Sequence, residues 1–405
     1  MSAALAARPA LEVADVLRVH GADFLARHAA WLSTEQRRTL RDLAACRTAA
    51  LGGHVEQCLD CGHERIAYNS CRNRHCPKCQ ALSRARWLDQ ETKALLPVDY
   101  YHVVFTLPRE VAQLALANAR VLYHALFQAA AATLRDVAAN PRHLGASVGV
   151  LLVLHTWGQN LSHHPHVHGV VTGGGLSCDA QGVVEASPRW LSCRPGFFLP
   201  VRILSRVFRG KYLALLQQAW VEKGLVFPGQ LAALQETNAW ALWLQALRTK
   251  EWVVYAKPPF GGPEQVLKYL ARYTHRVALS NARLQHFEDG QVTFRYKDYA
   301  DEHQCKSLTL TVDEFLRRYV QHVLPRGFVK MRHYGLLAKR CREERLTQCR
   351  SLLLVASLRA LLQSLSAAAA VQPARAPTCP QCESCRLAVR ELPREGSIAA
   401  RSDTS

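Results

Sequence analysis

The sequence has 405 residues, of which 49% are hydrophobic and 20% charged, a balance typical of folded globular proteins and not of disordered or fibrous chains. Lysine and arginine number 51 against 32 aspartates and glutamates, and the net charge of +19 favours a polyanionic partner, either nucleic acid or an acidic membrane surface. The sequence contains no run of 18 apolar residues that would predict a membrane span, and its N-terminus lacks a signal-peptide pattern. We therefore expect a soluble intracellular protein.

The first half of the chain predicts helices, then a cysteine-rich module, then strands. In the helical N-terminal segment, Ser33 and Gln36 are spaced as a capping box. Three β-branched, apolar runs predict strands at Tyr100–Leu107, Val148–Thr156 and His166–Thr172. An alanine-rich helical pattern follows the first of them, and Gly173, Gly174 and Gly175 are expected to end the third.

The second half mixes helices with short strands. Helical patterns cover about 202–223, 229–248 and 263–275, and Trp252–Ala256 predicts a short strand. Asp289-Gly290 between two alternating runs predicts a β-hairpin. The chain becomes strongly basic after Pro325, and its last 20 residues are expected to be poorly ordered.

Clustered cysteines are the most specific signal among the fourteen in the chain. Cys58-x2-Cys61 and Cys76-x2-Cys79 form two knuckles whose spacing predicts four thiolates around one tetrahedral zinc ion. Nearby side chains could replace one of these ligands: Cys71, His54, His63 and His75. Arg72 and Arg74 lie beside the second knuckle and Lys78 lies within it, on a basic rim suited to phosphate contact, although a solvated face of a purely structural module would look the same.

Three cysteines near the C-terminus, Cys379, Cys382 and Cys385, supply thiolates for a second zinc site but no second pair nearby. Cys341 and Cys349 are candidates to join them. The ligand count leaves open whether this site exists.

A histidine-rich run, His163-His164-Pro165-His166-Val167-His168, leads into one of the predicted strands. Because side chains alternate along a strand, His166 and His168 share one face about 7 Å apart, close enough to chelate one divalent ion. His155 on the preceding predicted strand is the preferred third ligand. Weaker choices are His164, Gln159 and Asn160, and a histidine-rich loop can also be a weak or incidental metal site.

A third motif, Tyr269-Leu-Ala-Arg272-Tyr273-Thr-His-Arg276, lies in a predicted helix. Tyr269 and Tyr273 are four residues apart and share a face, as two packing aromatics also would. Arg272 and Arg276 could bind a phosphate, and Lys268 flanks the pair.

Together these motifs resemble the IS91-family transposases, relatives of the HUH endonucleases. The resemblance covers about residues 40 to 340 and is carried by the cysteine module, the run His155–Leu161, the His-Pro-His-Val-His motif, the tyrosine pair, and Arg332-His333-Tyr334-Gly335.

The resemblance implies a nuclease whose His-x-His pair, here His166 and His168, holds Mg(II) or Mn(II) against a phosphate of single-stranded DNA. A tyrosine then attacks and becomes joined to the 5′ end. The two-tyrosine subgroup is favoured, with Tyr269 as the first nucleophile, and the offset of His155 from His166 resembles that of relaxase relatives. We see no Walker A motif, which agrees with a reaction that needs no ATP.

The resemblance also implies an α+β fold: an HUH-type antiparallel-sheet nuclease core with helices, preceded by a small zinc-ribbon-like module and followed by a basic helical tail. The predicted boundaries are a helical segment at 1–50, a zinc-binding domain at 51–95, the catalytic domain at 96–325, a basic helical region at 326–371, and a cysteine-containing, partly disordered tail at 372–405. We expect a bacterial cytoplasmic, nucleoid-associated protein without membrane contact that is compatible with homo-oligomers.

Two alternatives stay open at this level. One is a rolling-circle replication initiator or relaxase that uses the same chemistry. The other is a non-catalytic zinc-ribbon DNA-binding protein, in which the histidine run is incidental and the tyrosines are packed.

Overall fold

The computed structural model describes residues 11–257, 265, 278–298, 301–361, 381–382 and 386–392. Its α-helices are α1 (Val13–Arg27), α2 (Thr34–Ala45), α3 (Gln80–Lys93), α4 (Arg109–Ala117), α5 (Ala119–Ala139), α6 (Val201–Val221), α7 (Thr237–Thr249), α8 (Val312–Val320) and α9 (Arg342–Leu361). Its strands are β1 (Gly53–Cys58), β2 (Glu64–Tyr68), β3 (Tyr100–Thr106), β4 (Ala146–Trp157), β5 (His163–Ser177), β6 (Trp190–Ser192), β7 (Val254–Lys257), β8 (Leu284–Glu288), β9 (Gln291–Asp298), β10 (Gln304–Thr311), β11 (Met331–Gly335) and β12 (Leu387–Leu392).

The chain has an α+β fold in which the strand pairs are antiparallel. It divides into two compact units, each assembled from separate segments: 1–83 with 279–323 and 365–405, and 84–278 with 324–364. The boundaries predicted above were contiguous, because chain order alone does not reveal that β12 pairs with β1 or that α8 contacts α1.

A six-stranded sheet forms the centre of the unit 84–278 and 324–364. Its order is β11-β4-β5-β3-β7, with β6 beside β5. One face packs on α4 to α7 through a large apolar core that includes Phe105, Leu126, Leu152 and Phe208, all fully buried. The opposite face carries a smaller cluster around Trp87 and Tyr100. Alternation along β4 and β5 thus separates a core face from a second face that presents the histidines.

Strand β5 runs through the three glycines that were expected to end it. A Cβ at Gly175 would lie 2.0 Å from the carbonyl oxygen of Ser147 on β4, and one at Gly173 would lie 2.8 Å from the carbonyl oxygen of Asp99. These glycines therefore permit close approach of neighbouring backbones and do not break the strand. The predicted end of the strand at Gly173 was wrong.

The unit 1–83, 279–323 and 365–405 contains two three-stranded sheets, ordered β12-β1-β2 and β10-β9-β8. The predicted hairpin is confirmed: β8 and β9 pair, and Asp289 and Gly290 between them both have positive φ, at 47° and 68°. The capping box is also confirmed. The backbone N–H of Gln36 donates to Ser33 Oγ at 3.2 Å, and the backbone N–H of Ser33 donates to Gln36 Oε1 at 2.8 Å.

Among the described residues, no helix combines the length and apolar character needed to cross a membrane. The helix predicted at about 263–275 lies outside the described residues, apart from Gln265.

Candidate functional site

Three histidines converge on the second face of the six-stranded sheet. His155 on β4 stands opposite His166 on β5, and His168 lies two residues further along β5 on the same face. One ligand nitrogen of each lies within 4.8 Å of the others, and His155 and His168 are buried. The structure thus brings together the three histidines singled out by the sequence, whereas His164 is exposed beside them.

Hydrogen bonds orient two of these imidazole rings. His166 Nδ1 donates to the carbonyl oxygen of His164 at 2.6 Å, so the lone pair of the neutral ring is on Nε2. This Nε2 lies 3.1 Å from Nε2 of His168. On its other side, His168 Nδ1 lies 2.8 Å from Nε2 of His102 on β3. A cation bound at Nε2 of His168 would require the proton on Nδ1, where His102 can accept it.

Burial also favours the form of these rings that can bind a cation. It lowers the pKa of His166 to about 4 and holds the pKa of His168 well below its usual value. Neutral imidazoles are metal ligands, and protonated ones are not. Three imidazole nitrogens would leave coordination positions of a divalent ion free for oxygen ligands, which an ion that binds a phosphate needs.

The pairing of β4 with β5 is irregular just before the turn that joins them. The register shifts by one residue between His155 and Trp157, where the pairing resumes with His163. His163 Nε2 and the hydroxyl of buried Tyr123 on α5 form a hydrogen bond of 2.7 Å. His163 therefore faces α5, whereas His155 and His166 face the opposite side of the sheet.

Within the described part of the chain, seven cysteines form two groups, and not the single site that their spacing predicted. The first contains Cys76 and Cys79 together with Cys46 and Cys71. Its sulfur–sulfur distances include 3.2 Å, 3.5 Å and 3.6 Å, near the edge of about 3.8 Å of a tetrahedron with zinc–sulfur bonds of about 2.3 Å. The predicted pairing of this knuckle with Cys58 and Cys61 was wrong, because CxxC spacing identifies ligands but not which knuckles share an ion.

Electrostatics within the first group also favours a bound cation. Hydrogen bonds from Cys46, Cys71 and Cys76 hold the pKa of Cys79 far below its usual value, whereas hydrogen bonds and burial raise the pKa of Cys76. Four neighbouring thiols therefore resist losing all their protons unless a metal ion compensates the charge. Cys46, which follows α2, lay outside the predicted zinc-binding range of 51–95.

The second group contains Cys58, Cys61 and Cys382, again with sulfurs within 4.8 Å of one another. Cys382 comes from the C-terminal cysteines. Cys379 and Cys385 lie outside the described residues, and Cys341 and Cys349 join neither group.

The basic rim of the cysteine module is only partly accessible. Arg72 is exposed, and Arg74 is half-buried with a pKa lowered by desolvation. The Lys78 side chain is buried, with its ammonium 2.5 Å from the carboxylate of Glu12, which precedes α1. This lysine, which the sequence placed on the rim, is therefore committed to an internal ion pair.

The tyrosine motif lies outside the described residues. This applies to Tyr269, Tyr273 and the flanking cations Lys268, Arg272 and Arg276.

The Arg332-His333-Tyr334-Gly335 motif forms β11, and its first two side chains take part in different clusters. The Arg332 guanidinium lies over the Phe127 ring at 4.3 Å. His333 instead contacts buried Glu91 of α3 at 3.2 Å, and Arg342 donates to the same carboxylate at 2.6 Å. Neither this network nor His102 was identified from the sequence, because both depend on strand pairing that local patterns do not encode.

Two family models match the chain. A model described as "Transposase zinc-binding domain" matches residues 16–107. A second, described as "Putative transposase", matches residues 149–345. The first range contains all four cysteines of the first group, and the second contains the three converging histidines.

Curated relatives match over most of their lengths. "Putative transposase y4qJ" of Sinorhizobium fredii is 55% identical over 347 residues, which cover 86% of this chain and 85% of the relative. "Transposase for insertion sequence element IS801" of Pseudomonas savastanoi pv. phaseolicola is 30% identical over 308 residues, covering 75% of this chain and 70% of the relative. No solved structure matches the chain significantly.

Proposed function

The chain belongs to the IS91-family transposases, and we propose that it cuts and rejoins single-stranded DNA at the ends of an insertion element through a 5′-phosphotyrosine intermediate. The observation that carries this proposal is the convergence of His155, His166 and His168 on one face of an antiparallel sheet. In this reading the sheet is the HUH-type nuclease core.

These three histidines would hold Mg(II) or Mn(II). When bound, the ion would neutralise developing charge on a scissile phosphate. The protein's own contribution is to keep the imidazoles of His166 and His168 neutral through burial and to fix these two rings through the His164 carbonyl and His102. Such fixed ligands favour a single orientation of the phosphate, and phosphoryl transfer depends mainly on this positioning and on charge neutralisation.

The nucleophile would be a tyrosine of the Tyr269–Tyr273 pair, with Tyr269 acting first. The phenol loses its proton and its oxygen bonds to phosphorus. The bond from phosphorus to the 3′ oxygen breaks, and that oxygen leaves as a 3′-OH once it has taken up a proton. The phosphodiester is thus exchanged, not hydrolysed, so a later 3′-OH can attack the phosphotyrosine and rejoin DNA without ATP. Two tyrosines would let one subunit hold two such linkages in turn.

Positive charge would position the strand. Lys268, Arg272 and Arg276 flank the tyrosines in sequence, and Arg72 and Arg74 adjoin the zinc-binding cysteines. Each could neutralise a backbone phosphate, and the net charge of +19 supports binding that weakens strongly with salt. The proposed structural zinc ligands are Cys46, Cys71, Cys76 and Cys79.

The test is incubation of a labelled single-stranded element end with the purified full chain and Mn(II), resolved on a denaturing protein gel. A covalent protein–DNA band is expected that requires the ion and is absent from the Tyr269→Phe/Tyr273→Phe double variant. The single variants rank the two nucleophiles.

His168→Ala and the unrelated His143→Ala serve as a matched pair, since only the first should lose the band. DNA binding without a covalent band, across several element ends and both ions, would sink the catalytic proposal and leave a non-catalytic DNA-binding protein.

A further inference from the structure

The C-terminal part of the chain returns to the cysteine-rich hairpin. Strand β12 adds to β1 in antiparallel register, from Gly53 opposite Leu392 to Cys58 opposite Leu387. Just beyond the paired strands, the Leu59 amide donates to the carbonyl oxygen of Arg386 at 2.9 Å. This pairing brings Cys382 from the end of the chain to the turn that carries the first CxxC knuckle.

Backbone hydrogen bonds close the turn that carries Cys58 and Cys61. The Cys58 amide donates to the carbonyl oxygen of His63 at 2.8 Å, and the Gly62 amide donates to the carbonyl oxygen of Cys58 at 2.9 Å. Gly62 has a positive φ of 73°, which allows the chain to fold back within four residues. Cys61 is thereby held in the turn with its sulfur within 4.8 Å of those of Cys58 and Cys382.

We propose that Cys58, Cys61 and Cys382 bind a second zinc ion, distinct from the one at Cys46, Cys71, Cys76 and Cys79. The matching zinc-binding family model ends at residue 107, so it does not include Cys382. Thiolate ligands select zinc over the oxygen-seeking divalent ions. This proposal does not depend on the DNA chemistry proposed above.

The sulfur geometry fits a metal site better than a disulfide. Sγ of Cys58 lies 3.5 Å from Sγ of Cys382, well beyond the S–S bond of about 2.05 Å and close to the tetrahedral edge expected around zinc. Cys58 is 1% exposed, whereas Cys61 and Cys382 are exposed, so an ion could enter from solvent.

The small sheet also needs such a crosslink. Ile66 and Tyr68 of β2 are exposed, and of β1 only Gly53, Val55 and Cys58 are buried. Strands β1 and β2 thus bury little apolar surface, and short strands of this kind are marginally stable in water by themselves. A metal that joins the hairpin to the C-terminal segment would supply the missing free energy, as structural zinc does in small domains.

The test is the zinc content of the full chain, purified without chelator and measured by mass spectrometry of the metal. Two zinc ions per chain are expected from the two cysteine groups, and one from Cys382→Ser. Cys305→Ser is the matched control, because Cys305 is also exposed but belongs to neither group, and it should retain two. One zinc in the unaltered chain, or an unchanged content in Cys382→Ser, would overturn the proposal.

Alkylation of the unaltered chain tests the same site without a substitution. Cys61 and Cys382 should resist iodoacetamide until a chelator is added, while exposed Cys305 reacts at once. Equal rates for all three before chelation, or a disulfide between Cys58 and Cys382, would refute a zinc site here. Neither measurement requires DNA, so failure of the nicking assay leaves its result unaffected.

Discussion

His102 is the residue through which the proposed catalytic site can be perturbed without removing a ligand. Its Nε2 lies 2.8 Å from Nδ1 of His168, and the two rings stack with centroids 5.1 Å apart. His102→Phe keeps a flat ring of similar size but removes the nitrogen. Nδ1 of His168 would lose its partner, and the tautomer that presents Nε2 to a cation would lose its support.

The expected effect follows from the role of such hydrogen bonds. Loss of the partner of a metal-ligating histidine weakens metal affinity by about 10- to 100-fold, or about 1.4 to 2.7 kcal/mol. Titration of the full chain with Mn(II), followed by electron paramagnetic resonance, measures this affinity directly. His102→Gln, whose amide can still reach a neighbouring nitrogen, should recover part of the loss.

The matched control is His124→Phe. His124 lies on α5 with its Nδ1 3.0 Å from a guanidinium nitrogen of Arg332, and it takes no part in the hydrogen bonds described for His166 and His168. It should leave Mn(II) affinity unchanged. An affinity in folded His102→Phe within about twofold of the unaltered chain would refute the reasoning, because the hydrogen bond would then not orient His168. So would an equal loss in both variants.

Three further substitutions test the packing of the unit that contains the site. Burial alone would raise the pKa of Glu91, but hydrogen bonds from His333 and Arg342 lower it. The ionised Glu91 carboxylate therefore stabilises the fold at neutral pH, and this stabilisation is lost as the pH falls below about 4.5 and through the lowered pKa. Glu91→Gln should lower the free energy of unfolding in urea by about 2 kcal/mol at pH 7, less than the loss of a fully buried ion pair because the Arg342 side chain is 20% exposed. This loss should become smaller toward pH 3, and an equal loss at both pH values would contradict the prediction. Gly175→Ala should destabilise the fold by about 3 kcal/mol through its clash with β4, whereas Gly210→Ala, with open space around it in α6, should stabilise it by about 0.5 to 1 kcal/mol. Equal melting temperatures for the two glycine variants would argue against the close β4–β5 approach.

Local patterns predicted the elements of the fold well. The strands that carry His155, His166 and His168 follow from β-branched runs, and alternation correctly placed the last two on one face. The capping box at Ser33 and the hairpin at Asp289 depend on a few adjacent residues, so the sequence was enough to predict both.

Long-range pairing was the part that the sequence could not supply. Cys46 became a ligand candidate only when the fold brought it to Cys71, Cys76 and Cys79, and Cys382 could be grouped with Cys58 and Cys61 only once β12 was found paired with β1. Lys78 looked like a phosphate contact because its charge is visible in the sequence and its burial against Glu12 is not. The glycines of β5 misled for the opposite reason, since a residue that often ends strands also permits close backbone approach.

Peptide mass spectrometry of a trapped protein–DNA adduct tests the tyrosine mechanism directly. The full chain is reacted with single-stranded element DNA and Mn(II), the DNA is digested, and the nucleotide-bearing residue is identified. The account predicts a 5′-linked nucleotide phosphate on Tyr269 or Tyr273. An adduct on any other residue, or cleaved DNA with a free 5′ phosphate and no adduct, would contradict it.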